Sequence, residues 1–364
     1  MNAAKGRAMI DTIRITKATT RKEKPKDSDL AFGTVFTDHM FLMDFEEEKG
    51  WYDPRVEPYG PIPLDPAAAI LHYAQGIFDG LKAFRGKDGK VRLFRPQKHV
   101  ERMNGSARRM CIPLLDPEVA LKSLTTLVAL ERDWVPARVG TSLYIRPTVI
   151  ANEAFLGVRP AKSYIYYVIL SPVGAYYPEG MNPVKILVVD RYVRAVEGGI
   201  GAAKTGSNYS ASLYAAEEAK HDGFTQVLWL DGRERRYIDE VGTMNFMLKI
   251  GDEIVTPPLS SGTILPGVTR DSALTLLREW GLPVSERQIA IDEVLEASRR
   301  GTLKEVWGTG TAAVISPVGE LAYKGERIVI NGGRIGELTQ KLYDTIVAIQ
   351  YATTKDTHGW TVEV

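Results

Sequence analysis

The feature that most constrains this chain is an aperiodic stretch near its middle, residues 172–183, which holds three prolines and two glycines. Proline and glycine at this density interrupt both helices and strands, so the stretch is typical of a connection between domains. The chain has 364 residues, more than the roughly 250–300 at which a single hydrophobic core stops growing. The sequence therefore predicts two domains joined by a linker.

Both halves of the chain mix strand-like and helix-like patterns without a regular βαβ alternation, which favours two α+β domains over a doubly wound sheet. We predict a flexible N-terminal lead-in over residues 1–29, a small α/β domain over 30–171, the linker over 172–183 and a large domain over 184–364. Predicted helices include 96–110, 116–132, 209–220, 268–280, 292–300 and 335–351, and predicted hairpins span 227–238 and 247–255.

Composition excludes several classes of function. Lysine and arginine number 46 against 45 aspartates and glutamates, a formal charge of +1, which argues against nucleic-acid and membrane partners. One cysteine excludes a disulfide framework and a cysteine-rich zinc site. The five histidines show no metal-ligand spacing, and no apolar run approaches the length of a membrane span. We expect a cytoplasmic protein without a bound metal.

The segment 198–209, GGIGAAKTGSNY, surrounds Lys204 with glycines. One interpretation is a degenerate P-loop, although Ala203 replaces the glycine before the lysine and the helix is predicted to begin only near Tyr209. A second is a glycine loop with a solvated lysine. A third is a lysine that forms a Schiff base, because a packed environment favours the neutral, nucleophilic amine.

The third interpretation requires partners elsewhere, namely a carboxylate for a pyridine nitrogen and groups that bind a phosphate. Glu240 follows a predicted strand, the segment 265–270 (LPGVTR) enters a predicted helix, and 308–313 (GTGTAA) forms a second loop of small residues. Helix N-termini and such loops bind anions. Each signal is weak alone, since Glu240 could simply pair with Arg235 or Arg236, but together they favour a phosphorylated aldehyde cofactor.

At this point the chain resembles the branched-chain amino acid aminotransferases, which are pyridoxal-phosphate enzymes of fold type IV. The eight matching stretches are residues 32–40, 72–84, 92–96, 144–147, 198–209, 240–245, 265–270 and 308–313. The likeness covers nearly the whole chain and is strongest to the subgroup that includes the vertebrate enzymes. It departs at their CxxC pair, whose places hold Ala313 and Ser316.

The resemblance implies a homodimer of two-domain α+β subunits with pyridoxal 5'-phosphate between the domains. It implies small-molecule substrates: leucine, isoleucine or valine donates an amino group to 2-oxoglutarate, by a ping-pong route through pyridoxamine phosphate. The products would be branched-chain 2-oxo acids and glutamate.

The resemblance also assigns roles to individual residues. Lys204 would carry the cofactor and act as the catalytic base. The implied cofactor contacts are Arg102, Arg194 and Thr311 with the Val268 and Thr269 amides at the phosphate, Glu240 at the ring nitrogen and Tyr209 at the ring oxygen. The implied substrate contacts are Phe32, Tyr73, Phe78, Tyr144 and Tyr176 as pocket walls, Thr243, Ala312 and Ala313 at the α-carboxylate, and Arg146, alone or through Tyr73, at the second carboxylate of glutamate.

Three alternatives stay open on the sequence alone. One is a relative of the same fold with other chemistry, such as a D-amino acid aminotransferase or an aminodeoxychorismate lyase. The second is a P-loop nucleotide hydrolase, and the third is a non-catalytic scaffold that retains a vestigial site.

Overall fold

The structure, a computed structural model, describes residues 12–174 and 181–364. These residues form two compact units. Unit 1 comprises residues 12–174, Ala203–Gly206 and Ile349–Val364, and unit 2 comprises residues 181–202 and Ser207–Ala348. The sequence prediction placed 203–206 and 349–364 in the large domain because it divided the chain by position alone. The predicted linker lies partly outside the described residues.

Unit 1 is built on a nine-stranded sheet. Its strands are β1 (Arg14–Ile15), β2 (His39–Glu46), β3 (Gly50–Pro58), β4 (Gly76–Phe78), β5 (Leu81–Arg85), β6 (Val91–Phe94), β7 (Ser142–Ala151), β8 (Ser163–Val173) and β18 (Thr361–Glu363). They are ordered β1-β3-β2-β8-β7-β5-β6-β18, and β4 pairs with β7. Long antiparallel pairings of β7 with β8 and of β2 with β3 dominate the sheet.

Three α-helices accompany this sheet: α1 (Ala69–Tyr73), α2 (Pro96–Arg109) and α3 (Pro117–Leu130). The predicted cap of α3 is present, since the Asp116 carboxylate accepts hydrogen bonds from the Glu118 and Val119 amides, two of the donors that a helix start leaves without a backbone partner. Proline is the first residue of both α2 and α3. Its missing amide hydrogen costs no hydrogen bond there, because the first amides of a helix have no partner within the helix.

The two faces of the unit 1 sheet differ in chemistry, because successive strand residues point to opposite sides. On one face, Leu81 and its cross-strand partner Ile145 are fully buried in the hydrophobic core with apolar residues of α2 and α3. On the other face, Lys82 lies opposite Tyr144, and Arg146 follows two residues later. Lys82, Tyr144 and Arg146 thereby lie on the face opposite the core.

Residues 12–29 belong to unit 1, which corrects the predicted flexible lead-in for this part of the chain. Strand β1 pairs in parallel with β3, and the Ala18 amide donates to His39 Nε2 at 2.8 Å. The Lys22 amide donates to Asp38 at 2.8 Å, and its ammonium group donates to the Thr37 carbonyl at 2.9 Å. These long-range contacts are not visible in the local composition of a lysine-rich segment.

Unit 2 also contains a nine-stranded sheet. Its strands are β9 (Val184–Val189), β10 (Gln226–Leu230), β11 (Ile238–Val241), β12 (Met244–Ile250), β13 (Glu253–Thr256), β14 (Val284–Glu286), β15 (Leu303–Gly310), β16 (Val314–Tyr323) and β17 (Glu326–Val329). The order is β11-β10-β9-β16-β15-β12-β13-β14, with β17 on β16. An additional pairing of β11 with β12 closes six of these strands into a ring.

The later helices are α4 (Gly206–Ser210), α5 (Leu213–His221), α6 (Val268–Glu279), α7 (Ile291–Arg299) and α8 (Glu337–Gln350). The last three match the predicted segments within a few residues. The single helix predicted at 209–220 is instead two short helices, and the first begins before Tyr209. Strands and helices occur in both units without βαβ regularity, so the predicted α+β class is confirmed.

Over residues 12–174 and 181–364, no helix is both long enough and apolar enough to cross a membrane. The same residues contain no group of three or more histidine, cysteine or acidic side chains that could hold a metal ion.

Candidate functional site

The backbone of Lys204 is fixed within unit 1 by β4 and α2. Thr205 forms a bridge with Ile77 of β4, the Phe78 amide donates to the Lys204 carbonyl at 3.0 Å, and the Lys204 amide donates to Ser106 Oγ at 2.9 Å. Lys204 therefore lies on extended backbone beside a strand, before α4 begins. A P-loop lysine lies in the first turn of a helix, so this geometry contradicts the P-loop alternative.

A buried ion cluster lies next to this segment. Asp79, which is 0% exposed, accepts hydrogen bonds from Arg102 Nε at 2.9 Å, Arg102 Nη2 at 2.7 Å and His99 Nδ1 at 2.7 Å. His99, Arg102 and Ser106 follow each other at spacings of three and four residues and share one face of α2. The cluster thus joins α2 to the turn between β4 and β5.

The Lys204 side chain lies beside this cluster and is half-buried. Its Nζ is 5.0 Å from the centre of the Phe78 ring. Burial and the charge of Arg102 lower the pKa of Lys204 to about 8, while the charge of Asp79 opposes the shift. An amine with this pKa is neutral far more often near neutral pH than the amine of an ordinary lysine, so it can act as a nucleophile or as a base.

Aromatic rings and one arginine gather around the same strands. The rings of Phe32 and Tyr144 are 5.0 Å apart in an edge-on arrangement. Arg146 places its Cζ 4.8 Å from the centre of the Phe78 ring and donates from Nη2 to the Tyr144 hydroxyl at 3.1 Å. A Cβ on Gly80 would lie 1.8 Å from that hydroxyl, so only glycine at position 80 permits this placement of Tyr144.

The structure does not place every predicted pocket residue in this group. Tyr73 is 40% exposed, and its hydroxyl donates to the Leu156 carbonyl. Its ring lies beside His72. Its role as a pocket wall stays a prediction, and Tyr176 lies outside the described residues.

Unit 2 holds a second buried carboxylate, Glu240 on β11, which is 3% exposed. Glu240 Oε1 accepts from the Leu265 amide at 2.7 Å, and Oε2 accepts from Arg194 Nε at 2.9 Å. Arg194 Nη2 also donates to the Gly201 carbonyl at 3.1 Å. These contacts favour Arg194 as the partner of Glu240, and its role as a phosphate ligand stays a prediction.

The charges around Arg194 also locate Tyr209, which lies in α4. Burial lowers the pKa of Arg194, but the charges of Glu240 and Tyr209 outweigh burial and raise this pKa. Tyr209 and Glu240 are therefore close to the same guanidinium group in unit 2.

Three predicted motifs converge around Glu240. Asn245 donates to the Leu265 carbonyl at 2.9 Å and lies opposite Thr309 in the β12–β15 pairing. A Cβ on Gly267 would lie 1.9 Å from Asn245 Oδ1, so glycine permits the close approach of the residue before α6. Segments 240–245, 265–270 and 308–313 therefore meet in one region.

The remaining predicted residues surround this region. Val268 and Thr269 are the first residues of α6 and are nearly buried. Thr311, Ala312 and Ala313 form the turn between β15 and β16, and Thr243 lies exposed in the turn between β11 and β12. The Thr309 hydroxyl is buried and has no hydrogen-bond partner among the described residues.

Comparison with known proteins identifies the family. The chain matches the family described as amino-transferase class IV over residues 76–321. Branched-chain-amino-acid aminotransferase 2 of Bacillus subtilis (strain 168) is 56% identical over 353 residues, which cover 97% of each chain. The chain belongs to the class IV aminotransferase family.

Solved structures agree with this class IV aminotransferase assignment. The Escherichia coli branched-chain amino acid aminotransferase matches with a TM-score of 0.75 and 25% identity, over 89% of this chain and 98% of that one. The Thermobaculum terrenum branched-chain amino acid aminotransferase in its PLP form matches with a TM-score of 0.71 and 21% identity, over 89% and 97%. The predicted fold type IV architecture is confirmed.

The residues of this class IV aminotransferase fit pyridoxal 5'-phosphate. The donor set offers an amine of lowered pKa at Lys204, a guanidinium at Arg102 and a buried carboxylate at Glu240. The start of α6 and the unpaired Thr309 hydroxyl offer hydrogen-bond donors suited to an anion. Such a set matches an aldehyde, a phosphate and a basic ring nitrogen.

Three residues of the site region were missed from the sequence: Asp79, His99 and Ser106. The signals that could have found them are the helical spacing of His99, Arg102 and Ser106 and the position of Asp79 directly after Phe78. Neither signal identifies an ion cluster without the tertiary contacts.

Proposed function

We propose that this protein is a pyridoxal 5'-phosphate-dependent aminotransferase that transfers the amino group of leucine, isoleucine or valine to 2-oxoglutarate in a ping-pong sequence. The observation that carries the proposal is the amine of Lys204, which has a pKa lowered to about 8 and lies beside the Phe78 ring. The near full-length similarity to a branched-chain-amino-acid aminotransferase supports the substrate class.

In this proposal the cofactor ligands are the residues that the family resemblance implies. Lys204 would hold the aldehyde carbon, Arg102 and the amides of Val268 and Thr269 would hold the phosphate with Thr311, and Glu240 would hold the ring nitrogen with Tyr209 at the ring oxygen. When bound, pyridoxal 5'-phosphate supplies a carbonyl that condenses with amines and a ring that withdraws electrons.

The chain's own residues then hold and move protons. Lys204 Nζ would take the proton from the substrate Cα and deliver it to C4′ of the cofactor, because an amine with a pKa of about 8 can both accept and release a proton near neutral pH. The Glu240 carboxylate is kept in place by Arg194 and by the Leu265 amide, so it would stabilise a protonated ring nitrogen without reorganisation.

The substrate pocket must accept both an aliphatic and an acidic side chain. Phe32, Phe78 and Tyr144 offer apolar surface to a branched side chain, which makes no hydrogen bonds. Arg146, stacked on Phe78 and bonded to Tyr144, offers a guanidinium to the second carboxylate of 2-oxoglutarate or glutamate. Thr243, Ala312 and Ala313 bind the α-carboxylate in the same proposal.

We further propose a cytoplasmic homodimer. Leu71, Tyr73, Leu156 and Val158 of unit 1 are 59%, 40%, 63% and 87% exposed, and the Tyr73–Leu156 hydrogen bond joins α1 to the segment that holds Leu156 and Val158. An exposed apolar patch of this kind is typical of an interface between identical subunits. The single cysteine fits a reducing compartment.

The visible absorption spectrum of the purified protein, before and after addition of leucine without an oxo acid, tests the activity. We expect a yellow band that collapses with leucine and returns with 2-oxoglutarate. A band that responds to D-alanine but not to leucine would move the substrate to a sister activity. A protein that takes up no pyridoxal 5'-phosphate would contradict the proposal.

Borohydride reduction followed by peptide mapping tests the role of Lys204. Lys82 provides an internal control, because burial also lowers the pKa of Lys82 to about 8 and both lysines belong to unit 1. We expect the reduced cofactor on the Lys204 peptide and none on the Lys82 peptide. A Lys204→Ala protein that still performs multiple turnovers would exclude Lys204 as the catalytic residue.

A further inference from the structure

The buried cluster of Asp79, His99 and Arg102 is larger than the binding of a phosphate by Arg102 requires. Asp79 contacts two nitrogens of the Arg102 guanidinium, Nε and Nη2, on one edge of that group. A two-point contact of this kind fixes the plane of an arginine fork as well as its position. The side chain of Arg102 is 8% exposed, so the contact is shielded from competing water.

Asp79 is itself held from two further directions. His99 Nδ1 donates to its Oδ1 at 2.7 Å, and the Gly80 amide donates to the same oxygen at 2.7 Å. Burial lowers the pKa of His99 from its usual value, so the imidazole contributes a hydrogen bond rather than a positive charge. These two hydrogen bonds fix the orientation of the Asp79 carboxylate independently of Arg102.

The cluster also controls the charge next to Lys204. The positive charge of Arg102 lowers the pKa of Lys204, and the negative charge of Asp79 raises it. Burial alone would raise the pKa of Asp79, but Arg102 and His99 hold it well below its usual range. Asp79 is consequently ionised at neutral pH.

We propose that Asp79, held by His99, is a positioning residue that orients the Arg102 guanidinium toward the phosphate of the cofactor and sets the local charge at Lys204. The inference rests on the proposed function, since it takes Arg102 as a phosphate ligand. It assigns no contact between Asp79 and the cofactor or the substrate.

Ligand selectivity of the full-length apoenzyme tests the positioning role. Dissociation constants are measured for pyridoxal 5'-phosphate and for pyridoxal, which differ only in the phosphate, with wild type, Asp79→Asn and the matched control Asp88→Asn. Asp88 also makes a two-point contact with an arginine, Arg92, but at the surface. We expect Asp79→Asn to lower the preference for the phosphorylated ligand by about tenfold to a hundredfold, with the control unchanged.

A double-mutant cycle separates positioning of Arg102 from a general loosening of unit 1. If Asp79 acts through Arg102, Asp79→Asn has no further effect on the phosphate preference in an Arg102→Ala background. An equal effect in both backgrounds would overturn the proposal. If Asp79→Asn does not fold, His99→Leu carries the same test, with a smaller expected loss of preference and an unchanged preference as the contradicting result.

The reactivity of Lys204 gives a readout that does not involve the cofactor. The rate of acylation of Lys204 in the apoenzyme is followed against pH by mass spectrometry, with Lys82 in the same sample as reference. Removal of the Asp79 charge disfavours the ammonium form, so the Lys204 profile moves to lower pH in Asp79→Asn while the reference profile stays. An unmoved Lys204 profile would overturn the electrostatic part of the proposal.

The test distinguishes failure of the inference from failure of the proposed function. A wild-type apoenzyme that does not bind pyridoxal 5'-phosphate contradicts the proposed function. A wild type that binds it, together with an Asp79→Asn protein of unchanged or higher phosphate preference, contradicts the positioning role alone.

Discussion

Asp79 in unit 1 and Asp239 in unit 2 are both buried, and the pKa values of their carboxyl groups are shifted in opposite directions from that of an ordinary aspartate. Asp79 in unit 1 is 0% exposed and Asp239 in unit 2 is 7% exposed, so burial favours the neutral form of both. The donors from Arg102 and His99 nevertheless hold the pKa of Asp79 well below its usual range. Burial raises the pKa of Asp239 to about 6, against a single hydrogen bond from Thr263.

The difference shows that the charges and donors facing a buried carboxyl group, and not the depth of burial alone, set the direction in which its pKa departs from the usual value. Glu240 is the neighbour of Asp239 on β11. Successive residues of a strand point to opposite sides, so Glu240 meets Arg194 and the Leu265 amide whereas Asp239 lines a polar cavity of about 300 Å³. Strand β11 thereby carries two neighbouring acidic side chains in different environments.

The largest expected effect comes from emptying the Asp79 position. Asp79→Ala removes the buried carboxylate that contacts the Arg102 guanidinium, and breaking a buried ion pair costs about 3–5 kcal/mol. Urea unfolding at pH 7 measures this loss. Asp88→Ala, which removes a surface partner of Arg92, should leave the free energy of unfolding close to wild type, and an equal loss in both variants would contradict the comparison.

The next largest effect is a difference in kcat between variants of Glu240 and of Asp239, the two acidic residues of β11. Glu240→Gln removes the negative charge proposed to face the cofactor ring nitrogen, and loss of one preorganised electrostatic partner lowers kcat by about a hundredfold to a thousandfold. Asp239→Asn should keep most of the wild-type kcat, because its side chain points away from that group. Steady-state kinetics with leucine and 2-oxoglutarate decide, and a larger loss for Asp239→Asn would reverse the assignment.

Local sequence signals predicted the helices of this fold better than its domain composition. The cap at Asp116 and the proline after it located α3, and the start of α6 at Val268 was predicted to the residue. The assignment of segments 203–206 and 349–364 to unit 1 depends on pairings between distant residues. No local pattern encodes such a return of the chain.

The candidate site shows the same limit. Glycines around Lys204 and the resemblance of the surrounding motifs singled out the lysine and Glu240, because those signals are contained in short segments. The Asp79–Arg102 pair joins residues 23 positions apart. The resemblance singled out Arg102, but no local signal indicated that Asp79 would pair with it. Their burial, which gives the pair its effect on Lys204, follows only from the packing of α2 against the sheet.

The third prediction uses pH to sharpen the contrast between the aspartates. An acid whose pKa is higher in the folded state than its unfolded value of 3.8 binds more protons when folded, so its contribution to stability is lost as pH rises through about 6. The shift corresponds to about 3 kcal/mol. The free energy of unfolding should therefore fall less between pH 4.5 and pH 7.5 in Asp239→Asn than in wild type, measured by urea unfolding at each pH. Parallel pH dependences would refute the raised pKa.

The smallest expected effect comes from removing the hydroxyl that donates to Asp239, which tests directly whether a hydrogen-bond donor lowers the pKa of this carboxyl group. The Thr263 hydroxyl donates to Asp239 Oδ1 at 3.1 Å and lowers its pKa, so Thr263→Val, which keeps the shape of the side chain, should raise the pKa of Asp239 further. One hydrogen bond is worth about 1 kcal/mol, which corresponds to somewhat less than one pKa unit. Carboxyl titration by carbon-13 NMR of labelled aspartate measures the shift, with Asp79 in the same spectrum as the reference. If the Thr263 donor lowers the pKa of Asp239, the Asp239 resonance titrates at higher pH in the variant while Asp79 stays ionised, and an unmoved Asp239 pKa would show that this hydrogen bond does not control it.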